Sequence, residues 1–314
     1  MLNKMKFKKI SKCVCGKKFK KENKIFFKKF PRTEIIKKNK SSLKNYSFDQ
    51  EIAQCQNCNH LALTRQIDPK YIYNDNDYIF SSSNSYSAIF ANEIFFKFIN
   101  GYLNKRKKIR SILEIGSNDL YLLKKFYKIA NKLTGIDPVI KKDKKYSKIK
   151  TIKKFFNNQS LEKIDDDNEL IICGHTLEHV EKPEVFIKNV LTKANKNTKI
   201  FFQFPSSESL INSGSYDQIH HQHYNYFSIN SINEMIKRCG GKLIDFSYNN
   251  LHYGALMIFF SKKDSKIKSL KTVKKNNKFI NINTSYECFS NHLLSCKKII
   301  FNALKNNKKF YVVG

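Results

Sequence analysis

Four groups of residues in this 314-residue chain have types and spacings that could do chemistry. Cys13, Cys15, Cys55 and Cys58 lie in the first fifth of the chain, as CVC and CQNC, whereas Cys173, Cys239, Cys288 and Cys296 are scattered. Two cysteine pairs, usually C-x2-C in each, are a common donor set for tetrahedral zinc. Cys55-Gln-Asn-Cys58 has that spacing; the first pair is one residue short, with Lys12 where the outer cysteine is expected. In a reducing compartment such a cluster reads as a structural metal site rather than as disulfides. Its binding energy would fold a module otherwise too small to be stable.

The second group is LEIGSND, from Leu113 to Asp119. A strand that delivers Glu114 and Gly116 to a tight turn, with a helix from about Asp119 to Ala130, lets backbone approach a ligand and aims helix N–H groups at a carboxylate. About 20 residues later GIDP ends the next strand with Asp137, and an acid there accepts both hydroxyls of a ribose. The third group is GHTLEH: a buried strand ends at Cys173, and His175, Thr176, Leu177, Glu178 and His179 precede a helix beginning at Pro183. His-Thr-Leu-Glu-His also matches an inverted zinc-peptidase pattern. That reading needs both histidines on one face of a long helix, and here the motif sits at a strand end. The fourth group places His220, His221 and His223 within four residues, without helical or tetrahedral metal-site spacing.

The elements that must hold these groups alternate short apolar runs with helical stretches, as a doubly wound α/β sheet requires. The spacing predicts seven strands, at 111–115, 132–136, 148–152, 169–173, 199–204, 242–246 and 256–261. Helices are expected at 119–130, at 183–193 with Pro183 in the first turn, and at 228–238, closed by Gly240 and Gly241. Phe90, Ile94 and Phe98 recur every four residues and predict a further helix from Ser85 to Gly101. Residues 71–85 read as an aromatic, serine-rich loop. A basic linker follows Lys262, then a helix near 286–306 and a strand-like KKFYVVG, which cannot bury both faces by itself.

Composition sets the outer limits. With 41% apolar residues and 26 Phe, the chain can fill a real core. No apolar run approaches the roughly 20 residues that span a bilayer, and no apolar stretch follows the basic start, so no membrane partner and a cytoplasmic location are expected. The formal net charge of +33 would suggest an anionic partner. Only five of the 59 basic residues are Arg, however, the side chain best suited to bidentate phosphate contacts. Lys is spread along the whole chain instead of forming a patch. Nucleic acid is therefore not the favoured partner.

In their order, CVC…CQNC, YIY…SSSNS, LEIGSND, HTLEHVEKP, FQFPS, YDQIHHQHYNYFS and HYGAL resemble the zinc-containing sugar C-methyltransferases, which use S-adenosylmethionine (SAM), over essentially the whole chain. The resemblance implies a Rossmann-like, seven-strand class I methyltransferase sheet, a small N-terminal zinc-binding module, and a C-terminal helix plus strand stub. It divides the chain into a zinc module (1–70), a loop and helix covering the cofactor (71–105), a SAM-binding domain (106–262), and a linker helix with the start of a further α/β unit (263–314). Glu114, Gly116, Ser117, Asn118, Asp119, Asp137, Pro138, His175, Thr176, Glu178 and His179 would hold SAM. Cys13, Cys15, Cys55 and Cys58 would hold structural zinc.

The family's Tyr-His-Glu-His tetrad reads His220-His221-Gln222-His223 here, so His220 stands for Tyr and Gln222 for Glu. Gln203 likewise replaces a Glu. His223 remains where the family places its general base, with His220, Gln222, Tyr224 or Tyr226 to hold an enolate oxygen. The implied reaction is methylation beside the ketone of a nucleotide-linked keto-deoxysugar, for surface polysaccharide or a glycosylated product. The rival readings are an RNA methyltransferase that grips phosphate with its zinc module, and a non-catalytic remnant that has lost carboxylates and a C-terminal unit.

Overall fold

The computed structural model describes residues 7–31, 47–69, 81–104, 107–140, 143–250, 254–273 and 280–306. Most of the expected loop at 71–85 and all of KKFYVVG lie outside the described residues.

The chain begins with β1 (Phe7–Lys9), β2 (Lys24–Pro31), β3 (Ser47–Gln54), β4 (Leu61–Leu63) and β5 (Arg65–Ile67). β1 pairs with β5, while β2, β3 and β4 form an antiparallel sheet. Next comes α1 (Tyr86–Asn100), whose N-cap Ser85 accepts a hydrogen bond from the Ala88 amide. Its buried stripe is Ala88, Ala91, Phe95 and Ile99. Phe90, expected to face the core, is 56% exposed. Small alanines let the helix lie close to the sheet, so the core-facing stripe is offset from the aromatic repeat.

The large sheet contains β6 (Ile109–Ile115), β7 (Ala130–Ile136), β8 (Ile149–Ile152), β9 (Asn168–Gly174) and β10 (Ala194–Pro205). After α4 (Ser207–Ser213), β11 (Asn225–Tyr226) and α5 (Ile229–Arg238), it is completed by β12 (Gly241–Asn249) and β13 (Ala255–Lys262). Its spatial order is β12-β13-β10-β9-β6-β7-β8, parallel except for β13. All seven predicted strands are present, in the Rossmann-like sheet that the resemblance implied. Alternate residues of β9 enter opposite cores, Ile171 and Cys173 on one face and Leu170 and Ile172 on the other. α3 (Pro183–Thr192) and α5 cover the first face through Ile187, Val190, Ile232 and Ile236. α1 and the residues after β6 cover the second through Phe95, Leu123 and Phe126.

Two expectations are corrected. The helix predicted at 119–130 contracts to one turn, α2 (Tyr121–Lys124), because Leu120 adopts a left-handed backbone (φ 65°) and turns follow Lys124. The supposed linker after Lys262 is docked: Leu270 donates to the Ile244 carbonyl, and Ile267 packs on the second core. α6 (Ile282–Lys305) runs slightly longer than predicted.

The N-terminal sheet is not self-contained. β11 pairs with β4 as its fourth strand. Gln54 brackets the start of α6, accepting from the Ile282 amide and donating to the Ile280 carbonyl. The sequence on either side of the fourth histidine-rich group is thereby built into the cysteine-bearing sheet.

Candidate active site and metal cage

The C-terminal ends of β6, β7 and β9 open on one edge, and the strand order reverses beside β6, where α/β sheets leave a ligand crevice. A cavity of about 330 Å³ lies there, near the lower end of the roughly 300–1,000 Å³ typical of small-molecule sites. Gly116, Asn118, Asp137, Pro138, His175, Thr176 and His179 line it, together with Ile115, Val139 and Phe155–Asn157. Gly116 has φ 75°, and a Cβ there would stand 1.8 Å from Thr176 Oγ1, so only glycine fits between the two loops. Asp137 is oriented by its neighbours: Oδ2 accepts from the Asn118 amide (3.1 Å) and Oδ1 from the Val139 amide (2.8 Å). Each carboxylate oxygen keeps a second lone pair for a diol.

Beside this cavity a smaller recess is walled by Glu114, Ser117, Gly116 and His175. Glu114 Oε2 and Ser117 Oγ are buried with no hydrogen-bond partner among the described residues. Burial first, then the Asp119 and Asp137 charges, holds the Glu114 carboxyl well above its usual range. The ammonium end of SAM would supply the missing cation and donors, and its ribose diol would meet Asp137. The donor set fits that cofactor. Asp119 is turned elsewhere: its Oδ2 accepts from Ser81 Oγ and the Ser83 amide, tying the turn before α1 over the site.

Three non-glycine residues in these loops have left-handed backbones: Asn118 (φ 42°), Leu120 (φ 65°) and His175 (φ 48°). Such strain persists where surrounding contacts over-determine it, as in ligand loops. The His175 amide is held by the Gln203 carbonyl at 2.7 Å.

Behind the cavity wall sits a buried histidine cluster around Glu178. Gln203 Oε1 accepts from Asn249 Nδ2, so Nε2 is the atom that donates to His175 Nε2 (2.8 Å). This leaves His175 protonated at Nδ1, 3.4 Å from Glu178 Oε1. Burial lowers the His175 pKa to about 4 and pushes Glu178 up to about 7. The other carboxylate oxygen of Glu178 has no partner among the described residues. His179 Nδ1 faces the Gln222 carbonyl at 2.9 Å, turning Nε2 toward Glu178 Oε1 at 4.0 Å. The His179 and His223 rings are 4.9 Å apart, as are those of His220 and His223. His223 Nδ1 is buried without a hydrogen-bond partner among the described residues, and burial, then the neighbouring histidines, holds its pKa well below the usual value. At neutral pH the His223 ring is therefore uncharged.

The other expected catalytic side chains divide. Gln222 Oε1 is also buried without a partner among the described residues. The Tyr226 hydroxyl donates to the Gln218 carbonyl and accepts from the His220 amide, and the Tyr224 hydroxyl donates to the Ile67 carbonyl. Both phenols are thus occupied within the chain. His221 points away from the cluster into the N-terminal sheet, with Nδ1 on Gln50 Nε2 (3.0 Å) and Nε2 on the Phe30 carbonyl (2.9 Å). Gln50, which holds His221, and Asp68 and Phe155, which line the cavity, were not expected to bear on the site, and no local periodicity points to them.

The four cysteines converge. Cys13 and Cys58 sulfurs are 3.5 Å apart, as are Cys15 and Cys55, and all four lie within 4.8 Å of one another. Tetrahedral zinc with bonds of about 2.3 Å needs sulfurs about 3.8 Å apart, so the cage fits that ion. The shortened first pair reaches because the chain turns at Gly16 (φ 83°), whose amide donates to the Cys13 carbonyl. The mutual hydrogen bonds of the sulfurs lower the Cys55 pKa to about 2, and with burial hold Cys13 high. A cation at the centre would allow all four to ionise.

This cage is fastened to the histidine segment. Ser228 Oγ donates to the Cys58 carbonyl, Ser207 Oγ donates to the Asn59 carbonyl (2.8 Å), and His60 pairs with Asn225 (3.2 Å).

Among solved structures, the chain resembles a Burkholderia thailandensis 1,6-didemethyltoxoflavin-N1-methyltransferase with S-adenosylhomocysteine bound (10% identity, 58% of this chain and 80% of that chain, TM-score 0.43). It also resembles a putative Bacillus halodurans C-125 methyltransferase (10% identity, 55% and 100%, TM-score 0.43). A third is the magnesium protoporphyrin IX methyltransferase of Synechocystis PCC 6803 with bound S-adenosylhomocysteine (11% identity, 62% and 92%, TM-score 0.42). No curated protein matches the sequence. Residues 88–245, half of the chain, match the family model described as a methyltransferase domain, and they span the cavity, the Glu178 cluster and His223. The chain belongs to this methyltransferase family and is a SAM-dependent methyltransferase.

Proposed function

We propose that the protein transfers a methyl group to the carbon beside the ketone of a nucleotide-linked keto-deoxysugar, with His223 as general base and zinc in the cysteine cage as a structural ion. The observation that carries this reading is His223 itself. Its Nδ1 has no partner among the described residues, burial holds its pKa well below the usual value, and it stands next to His179, which lines the cavity. A C–H beside a ketone is acidic enough for a neutral imidazole to remove its proton. The His220 ring, 4.9 Å from that of His223, is placed to receive the enolate oxygen, with Gln222 next to it in sequence, whereas Tyr224 and Tyr226 are occupied. When bound, SAM supplies an electrophilic methyl group. The chain's task is to position the acceptor, exclude water and hold the negative charge.

Incubation with SAM and a panel of dTDP-linked keto sugars in deuterated buffer tests the reading. Deuterium incorporation beside the ketone, lost in His223→Ala, is expected. Methylation of RNA with steep salt dependence would replace the reading with its nucleic-acid rival. SAM binding with neither exchange nor transfer would mark a non-catalytic protein.

A further inference from the structure

We propose a second metal site, in which Glu178, His179 and His223 bind a divalent transition-metal ion of the zinc, cobalt or nickel kind. One ligand atom from each residue lies within 4.8 Å of the other two. Tetrahedral N and O ligands at about 2.1 Å stand about 3.4 Å apart, so rotamer adjustments of roughly an ångström close the site. Glu178 is 1% exposed, and both its Oε2 and His223 Nδ1 lack partners among the described residues. A buried carboxylate oxygen and a buried imidazole nitrogen without partners are groups that a bound cation would satisfy.

The surroundings also suit ligation. A metal-bound histidine usually donates its second ring N–H to a carbonyl. His179 does this from Nδ1 to Gln222, turning Nε2 inward. Glu178 is oriented by His175, and His175 by Gln203 and Asn249. Two histidines and one carboxylate with open positions are a familiar donor set for such ions. The site stands on this geometry alone. Its consequence rests on the base reading above: an ion on Nδ1 occupies the lone pair that would take the proton, so the loaded cluster is silent in proton transfer.

The test is a cobalt(II) titration of the full chain after its cysteine cage has been filled with one equivalent of zinc. One further equivalent of cobalt is expected, with weak visible bands and no sulfur charge-transfer absorption. Glu178→Gln and His223→Gln should each weaken that event about 100-fold or more. Both should keep the zinc equivalent and the circular dichroism of the parent. If one variant does not fold, the other decides. No second equivalent in the parent, or undiminished cobalt binding in a folded variant, would overturn the site. Either result leaves the deuterium-exchange experiment standing.

Discussion

The cofactor crevice and the histidine cluster lie side by side but are built in different ways. The crevice is made by neighbours in sequence and by the large sheet: Gly116 donates to the Ile136 carbonyl, Asp137 holds the Asn118 and Val139 amides, and two apolar cores flank the strands. The segment bearing His223 is fixed by long-range polar contacts to the cysteine-bearing sheet, through Gln50, Phe30, Cys58, Asn59 and His60. Cofactor geometry is therefore set chiefly by the Rossmann-like half, with Asp68 and Pro69 from the N-terminal region completing the cavity wall. The histidine geometry depends on the N-terminal sheet and on whatever fills its cage.

Metal removal should break this contrast most forcefully. Structural zinc contributes about 10 kcal/mol or more to folding in small cysteine modules. Chelation is expected to deprotect amides of β3, β4 and residues 220–228 together in hydrogen exchange, while β6 and β9 stay protected. Uniform loss, or protection of 220–228 unchanged, would contradict the division.

Gly116→Ala should act in the opposite direction. A Cβ placed 1.8 Å from Thr176 Oγ1 at positive φ is expected to cost about 2–3 kcal/mol of cofactor affinity, roughly 100-fold by calorimetry. Exchange protection in β3 and β4 should not move. Next in size is Gln50→Leu, which removes the Gln50 amide from buried His221 Nδ1, at about 1–3 kcal/mol. It should slow turnover with little change in SAM affinity, as a displaced histidine segment requires. Ser228→Ala removes the α5 N-cap and the bond to the Cys58 carbonyl, for about 1–2 kcal/mol in chemical denaturation.

The same contrast explains what the sequence revealed. Strands with continuous buried apolar runs, such as β9 and β10, and capped helices, such as α5 with Ser228 before and Gly240 (φ 90°) after, were legible because their signals are local. The turn at Gly116 and the acid at Asp137 were legible for the same reason. The shortened helix after Asp119 was not, because Leu120 takes a backbone conformation that a branched residue rarely adopts. Nor was β11, two residues paired with a strand about 160 positions earlier. His221 resembled its neighbours in HHQH, yet only the fold shows it turned toward Gln50 while His223 joins His179.

The most direct test measures two quantities on one variant, His223→Ala: the SAM dissociation constant, and the rate of deuterium exchange beside the acceptor's ketone. SAM affinity within about twofold of the parent, with exchange abolished, is the predicted pair. Exchange that survives, or affinity that collapses with it, would contradict a cofactor crevice and a base assembled separately.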